Sequence, residues 1–100
     1  MLKHIVMLKF KDFADAHTKE ENIERVRQVF STLPPIIPEI KKMEFGKNMS
    51  TIDKSYDAVL YTEFEDQEAL SRYLNNHAHV AASEFIAKLR KRRIIVDYLQ

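Results

Sequence analysis

The spacing of apolar side chains changes from segment to segment along the chain, and each spacing predicts a different element. Residues 2–10 are aliphatic and β-branched, with apolar side chains on both alternating faces. Such a segment is typical of a strand that is covered on both faces. In residues 18–33 apolar side chains recur every three or four positions, which predicts an amphipathic helix. Thr18 and Glu21 have the spacing of a capping box at its start, and a pair of prolines follows its end.

The rest of the chain alternates strand and helix patterns once more. The predicted elements are, in order, a strand at 40–47, a polar loop at 48–55, a strand at 56–64, a helix interrupted at Asn75-Asn76, a helix from His77 and a strand at 93–99. The order β-α-β-β-α-β predicts an α+β, ferredoxin-like fold, in which the helices cover one face of a four-stranded antiparallel sheet. The length of 100 residues suits a single domain over residues 1–100.

The face of the predicted sheet that the helices leave open is apolar. It carries Ile5 and Met7 from the first strand and Val59 and Tyr61 from the third. A contiguous apolar patch of this kind marks an interaction surface, and two-fold dimers are the commonest closed assembly. We therefore expect a homodimer in which two sheets pack face to face as a dimeric α/β barrel.

Charge and segment composition exclude several kinds of partner. The formal net charge is only +1 at pH 7, so no overall field attracts nucleic acid, and residues 55–62 lack the signature of RNA-recognition strands. We interpret the basic run of Lys88 and 90–93 as the cationic end of the last helix. No segment approaches the roughly 18 apolar residues of a membrane span. We expect a cytoplasmic protein that binds neither nucleic acid nor membrane.

The residue types that the chain lacks narrow its chemistry. It has no cysteine and a single glycine, which excludes thiolate metal sites, cysteine nucleophiles and glycine-rich phosphate loops. His77 and His79 lie two positions apart on a predicted helix, where their side chains point in different directions and chelate one metal ion poorly. We therefore expect neither a metal nor a cofactor.

Three residues with polar tips are predicted to point into the same helix–sheet interface. His4 shares its strand face with the apolar residues that face the helices, and Tyr73 and His79 lie on the inward stripes of the last two helices. Burying several such groups in a small core without a purpose lowers stability. A titratable imidazole beside a phenol suits proton transfer at a carbonyl-containing substrate. These residues form the candidate catalytic group.

Five segments resemble the stress-responsive α/β-barrel (Dabb) family. They are KHIVMLKFK at 3–11, GKN at 46–48, YDAVL at 56–60, YLNNHAHV at 73–80 and VDY at 96–98. The resemblance spans nearly the whole chain and implies a dimeric ferredoxin-like barrel. The chain also resembles a plant polyketide cyclase of this family, which needs neither metal nor cofactor. That resemblance implies that His79 is the general base, that Tyr73 binds or polarises a carbonyl oxygen and that His4 orients the base or the substrate.

Apolar residues around these three are expected to bind the substrate, namely Leu8, Phe30, Leu60, Phe85 and Leu89. At Phe30 the cyclase has an inward tyrosine, so the resemblance implies one hydroxyl fewer in this pocket. Asn76-His77 stands where the family usually has a His-Pro pair, which alters the helix break and the mouth of the pocket.

The sequence leaves two functions open. One is a cofactor-independent enzyme that acts on a small carbonyl or aromatic compound by cyclisation, isomerisation or oxygenation, and it predicts a ligand-sized pocket near Tyr73 and His79. The other is a non-catalytic ligand-binding or stress-protective homodimer, in which the same side chains form a polar core that stabilises the helix break.

Overall fold

The computed structural model describes residues 1–52 and 55–100. Along these residues the elements are β1 (Leu2–Phe10), β2 (Phe13–Ala14), β3 (His17–Thr18), α1 (Lys19–Ser31), β4 (Lys42–Lys47), β5 (Ala58–Phe64), α2 (Gln67–Asn75), α3 (His77–Leu89) and β6 (Arg90–Leu99). Four strands form one antiparallel sheet in the order β4-β5-β1-β6. This topology confirms the predicted α+β, ferredoxin-like fold. Part of the predicted loop at 48–55, residues 53 and 54, lies outside the described residues.

Local sequence signals position the helix ends as predicted. The Thr18 hydroxyl accepts a hydrogen bond from the backbone N–H of Glu21, whose carboxylate accepts one from the backbone N–H of Thr18. The capping box at the start of α1 is therefore confirmed. Asp66 caps α2 through its side chain. Asn76 has an extended backbone that ends α2, and its side chain caps α3 by accepting from the N–H of Ala78.

Of the basic run that the sequence pattern placed at a helix end, only Lys88 lies there, in the last turn of α3. Strand β6 begins at Arg90, directly after α3, so residues 90–93 belong to the sheet. The cause is the register of the β1–β6 ladder, in which Arg92 lies opposite Lys9 and Arg90 pairs with Phe10 across a bulge. Because the pairing extends to Phe10, the last residue of β1, residues 90–93 are in strand conformation rather than at the end of the helix.

A short hairpin of β2 and β3 precedes α1 and is not evident in the sequence pattern. Its turn residues, Asp15 and Ala16, have positive φ angles of 53° and 61°, the conformation of a tight two-residue hairpin turn. Two-residue strands are too short to show a period. His17 is half-buried in β3, with Nδ1 2.6 Å from the backbone oxygen of Asp15.

The core lies between the helices and one face of the sheet. Strand β5 alternates buried and half-buried residues along its whole length, as predicted for a strand with one face on the core. The buried stripe of α1 packs in the same core and consists of Ile23, Val26 and Phe30. No helix within residues 1–52 and 55–100 is long and apolar enough to cross a membrane.

The opposite face of the sheet is apolar and open. Strands β1 and β5 pair Ile5 with Tyr61 and Met7 with Val59 on this face. The last strand enlarges the patch beyond the predicted residues by adding Ile94, Val96 and Tyr98. The first two are 43% and 46% exposed, which is high for aliphatic side chains at the centre of a strand. We refer to this surface as the outer sheet face.

Candidate functional site

A cavity of about 300 Å³ lies between the helices and strands β1, β5 and β6. This volume is at the lower end of the roughly 300–1,000 Å³ typical of small-molecule pockets. His4, Tyr73 and His79 all line it, so the three candidate catalytic residues meet at one cavity. Of the five residues expected to bind substrate, three line it as well: Leu8, Phe30 and Leu60.

Phe85 and Leu89 do not line this cavity. Phe85 is half-buried, and the guanidinium carbon of Arg25 lies 5.0 Å from its ring centroid. Leu89 is fully buried in the core. The rotation of α3 explains the difference, because successive residues of a helix are about 100° apart. Ile86, rather than Phe85, faces the cavity.

His4 is held by a carboxylate on the neighbouring strand. The β1–β6 register places Asp97 opposite His4, and the two side chains meet with Nδ1 2.5 Å from Oδ1. The ring is buried, whereas the Asp97 side chain is 40% exposed. A carboxylate oxygen accepts, so Nδ1–H of His4 donates to Asp97. Thr62 also donates to the backbone oxygen of His4 at 3.1 Å, which fixes the strand at this point.

Tyr73 lies at the centre of an aromatic cluster. Its ring centroid is 4.4 Å from that of His79, 4.8 Å from that of Phe64 and 6.3 Å from that of His4. The hydroxyl is buried and has no hydrogen-bond partner among the described residues. Burial raises the pKa of Tyr73 well above its ordinary value, so the phenol keeps its proton at neutral pH.

His79 completes the cluster from the first turn of α3. Its Nδ1 lies 3.1 Å from the backbone oxygen of Leu74, across the break between the two helices. A carbonyl oxygen only accepts, so Nδ1–H donates and Nε2 carries the free lone pair. Burial lowers the pKa of His79, the hydrogen bond to Leu74 opposes that effect, and the charges of His4 and Arg93 lower it further. His79 is therefore neutral at pH 7 and can accept a proton.

Three polar residues of the cavity are not among the predicted site residues. Asp97, Arg93 and Ser83 also line it, the first two from β6 and the third from α3. Asp97 was within reach of sequence reasoning, since an antiparallel pairing of the first and last strands brings it close to His4. Arg93 belongs both to the basic run and to the start of the predicted strand at 93–99, and neither context indicates that it lines the cavity.

The arrangement supplies a neutral base and a hydrogen-bond donor within one small cavity. Nε2 of His79 can take a proton, and the phenol of Tyr73 can donate a hydrogen bond to an oxygen on which negative charge develops. In residues 1–52 and 55–100, no three His, Asp or Glu side chains are grouped so that they could hold a metal ion. His77, two positions before His79, is exposed.

Comparison with known families identifies the chain. The model of the stress responsive A/B barrel domain family matches residues 2–100. The chain belongs to this family. The domain is 29% identical to olivetolic acid cyclase from Cannabis sativa over 99 aligned residues. This alignment covers 97% of this chain and 94% of the cyclase.

Solved structures agree with this assignment. The A/B barrel domain is 30% identical to a dimeric ferredoxin-like protein of unknown function from Bacteroides fragilis, with a TM-score of 0.87 over 99% of this chain and 95% of that chain. It shares its fold with the hydroxynitrile lyase of Passiflora edulis, to which it is 13% identical. The superposition has a TM-score of 0.85 and covers 99% of this chain and 92% of the lyase chain. At that identity the second likeness concerns the fold alone.

Proposed function

We propose that this A/B barrel domain binds a small carbonyl-containing or aromatic compound in the cavity and catalyses proton transfer on it, without a cofactor. The reaction class that fits best is cyclisation or isomerisation by way of an enolate. His79 acts as the general base, Tyr73 binds the carbonyl oxygen, and His4 with Asp97 orients the group. The similarity to olivetolic acid cyclase supports the same class of chemistry.

The observation that carries the proposal is that the Tyr73 hydroxyl has no hydrogen-bond partner among residues 1–52 and 55–100. Leaving a buried hydroxyl without a partner is unfavourable, and native structures rarely tolerate it without a reason. Here the orphaned hydroxyl belongs to a residue that lines a ligand-sized cavity beside the His79 ring. A carbonyl oxygen of the bound compound would accept the hydrogen bond that the protein does not satisfy.

The proton transfer follows from the two side chains. Nε2 of His79 removes a proton from the carbon next to the carbonyl, and the electron pair of that C–H bond moves to the carbonyl oxygen. The Tyr73 hydroxyl stabilises this oxygen by a hydrogen bond in a largely apolar surrounding, where such a bond is strong. The imidazolium then returns the proton to another carbon, in an isomerisation, or to the alkoxide formed by ring closure.

His4 and Asp97 contribute by holding the cluster in place. The short contact of the carboxylate with Nδ1 sets the tautomer and the orientation of the His4 ring. That ring lies edge-on to Tyr73, at an interplanar angle of 70°, and limits the positions that the phenol can adopt. A group fixed in this way supports catalysis without contributing a proton itself.

The protein is further proposed to act as a homodimer through the outer sheet face. The apolar side chains on that face support this assembly, as does the description of the Bacteroides fragilis relative as dimeric. Two such faces packed together would form a barrel from eight strands, four contributed by each copy. Each copy would keep its own cavity on the helix side of the sheet.

One observation favours the alternative, a non-catalytic ligand-binding or stress-protective homodimer. The hydrogen bond from His79 to Leu74 joins the end of α2 to the start of α3. With the close ring contacts around Tyr73, this bond can stabilise the helix break by itself. In that case the loss of His79 would impair folding rather than chemistry.

Hydrogen–deuterium exchange on a simple carbonyl compound separates the two functions. Acetophenone in D₂O exchanges its methyl protons slowly, and ¹H NMR follows the loss of the methyl signal. The wild-type protein is expected to accelerate this exchange over buffer, and His79→Ala to remove about 99% of the acceleration, since general base catalysis contributes roughly 10²–10⁴-fold.

His77→Ala is the matched control, because it removes an exposed imidazole from the same helix. It is expected to exchange acetophenone at the wild-type rate. The melting temperature of each variant is measured alongside. Exchange at the buffer rate in the wild type, together with a large loss of stability in His79→Ala alone, would favour the structural alternative.

A further inference from the structure

The two charged residues of β6 that line the cavity lie toward opposite ends of it. Arg93 is paired with Leu8 and Asp97 with His4, and the apolar Ile95 lies between them on the same face of the strand. Four residues of strand span about 13 Å, so the two charges are well separated. The cavity therefore has an acidic end, an apolar middle and a basic end.

The charged side chain at the acidic end has a partner within this chain, whereas the one at the basic end forms no salt bridge within the described residues. Asp97 is bound to His4. Within residues 1–52 and 55–100, Arg93 forms no salt bridge, nor do Arg90 and Arg92 on the same strand. The three arginines outside this region do have carboxylate partners: Arg25 pairs with Asp15, Arg27 with Glu24 and Arg72 with Glu39.

Arg93 lines the same cavity as His79. Burial is the main cause of the lowered pKa of Arg90 and of His79, and the charge of Arg93 adds to both effects. Arg90 and Arg93 form no salt bridge in the described part of the chain, so their like charges repel each other, and a bound anion would relieve this repulsion. Arg93 is an exposed residue and lines the cavity, so its side chain is accessible to a ligand.

From this arrangement we infer that the compound bound in the cavity is an organic carboxylate with an apolar or aromatic body. Its carboxylate binds the guanidinium of Arg93, and its body lies along the apolar middle toward Tyr73. A guanidinium presents two parallel N–H donors that match a carboxylate, so one arginine can both bind and orient the acid. The inference rests on the proposed function and adds the charge of the ligand to it.

A pair of probes that differ only in charge tests this inference. The probes are 3-phenylpropanoate and the uncharged 3-phenylpropanamide, and NMR titration of the His79 ring signals gives the dissociation constant of each. The wild-type protein is expected to bind the acid about tenfold more tightly than the amide, as a charge-assisted hydrogen bond at a partly exposed site would give. Arg93→Gln is expected to remove this preference.

Arg92→Gln serves as the matched control. It removes the same charge from the adjacent residue, which lies on the opposite face of β6 and does not line the cavity. This variant is expected to keep the tenfold preference. Its oligomeric state is checked in parallel, because its face of the strand belongs to the outer sheet face.

The outcomes separate the inference from the proposed function. Equal binding of acid and amide, with both shifting the His79 signals, overturns the carboxylate inference and leaves the ligand site standing. A preference for the acid that survives in Arg93→Gln overturns the inference as well. If neither probe shifts any cavity signal at millimolar concentration, the proposed ligand site fails and the inference fails with it.

Discussion

Removing the hydroxyl of Tyr73 is expected to stabilise the ligand-free protein and to impair its function. In most proteins, replacing a buried tyrosine with phenylalanine breaks a hydrogen bond and lowers stability. Here the hydroxyl has no partner among the described residues, so Tyr73→Phe removes an unsatisfied polar atom instead. The ring and its contacts with Phe64 and His79 stay in place.

The size of the effect follows from the burial of this group. The Tyr73 side chain is 0% exposed, so the hydroxyl does not regain hydrogen bonds at the protein surface. Burying a hydroxyl without a partner costs about 1–3 kcal/mol in proteins. In a domain of this length, about 1 kcal/mol shifts the melting temperature by roughly 4–8 °C. We therefore expect Tyr73→Phe to unfold at least ~4 °C above the wild type.

Thermal and urea unfolding at one protomer concentration measure this difference, since dimer formation makes stability depend on concentration. The matched control is Tyr61→Phe, whose hydroxyl donates to the Glu63 carboxylate at 2.6 Å. The same atom is lost there together with a hydrogen bond at a half-exposed site, so we expect the free energy of unfolding to stay the same or to fall slightly. The two substitutions should therefore move stability in opposite directions.

The functional readout completes the test. Tyr73→Phe is expected to accelerate acetophenone exchange far less than the wild type, because it lacks the donor for the carbonyl oxygen. A stabilised variant with impaired exchange indicates a residue kept for function at the expense of stability. If Tyr73→Phe is less stable than the wild type by 1 kcal/mol or more, the hydroxyl is satisfied in the folded protein and the reasoning from its burial is wrong.

Three further predictions concern assembly, the His4 pair and pH. Ile94→Glu places a charge on the outer sheet face and should give monomers in size-exclusion chromatography with light scattering. The control Ala81→Glu, at an exposed position of α3, should stay dimeric. If Ile94→Glu is still a dimer, the outer sheet face is not the interface. Asp97→Ala leaves the buried His4 ring without its acceptor and should lower the free energy of unfolding by about 1 kcal/mol. Asp97→Asn keeps an acceptor oxygen and should lower it less. Equal losses in the two variants would contradict the contact between His4 and the carboxylate. Because the pKa of His79 is lowered from its ordinary value of 6.5, the unfolded chain binds more protons below that pH. Stability is therefore full above pH 6.5 and declines as the pH falls through the folded pKa of His79, and His79→Gln should flatten this slope in urea unfolding.

Local signals in the sequence predict most of the fold. Apolar periods of two and of three to four residues are properties of single segments, and so are the capping box at Thr18 and the helix break at Asn76. The hairpin at 13–18 escapes such reasoning because its strands are two residues long. Burial of His4 and Tyr73 follows from the same periods, which is why these residues could be selected in advance.

The parts of the site that the sequence does not predict depend on register and rotation. Asp97 reaches His4 across 93 positions of chain, and that contact requires the exact pairing of the first and last strands. The choice between Phe85 and Ile86 as a cavity residue depends on a helix rotation of about 100°, which a broad apolar stripe does not define. The role of Arg93 depends on where α3 ends and β6 begins.

Ligand charge and base strength are coupled at this site. Burial is the main cause of the lowered pKa of His79, and the charge of Arg93 adds to it. A carboxylate bound to Arg93 would offset that charge, so the His79 pKa should rise when 3-phenylpropanoate binds and rise less with 3-phenylpropanamide. NMR titration of the His79 ring in the presence of each probe measures the difference, and Arg93→Gln should abolish it. An identical His79 pKa with both probes would show that the guanidinium and the base act independently. The coupling, if observed, makes the base strongest when the proposed acidic substrate is in place.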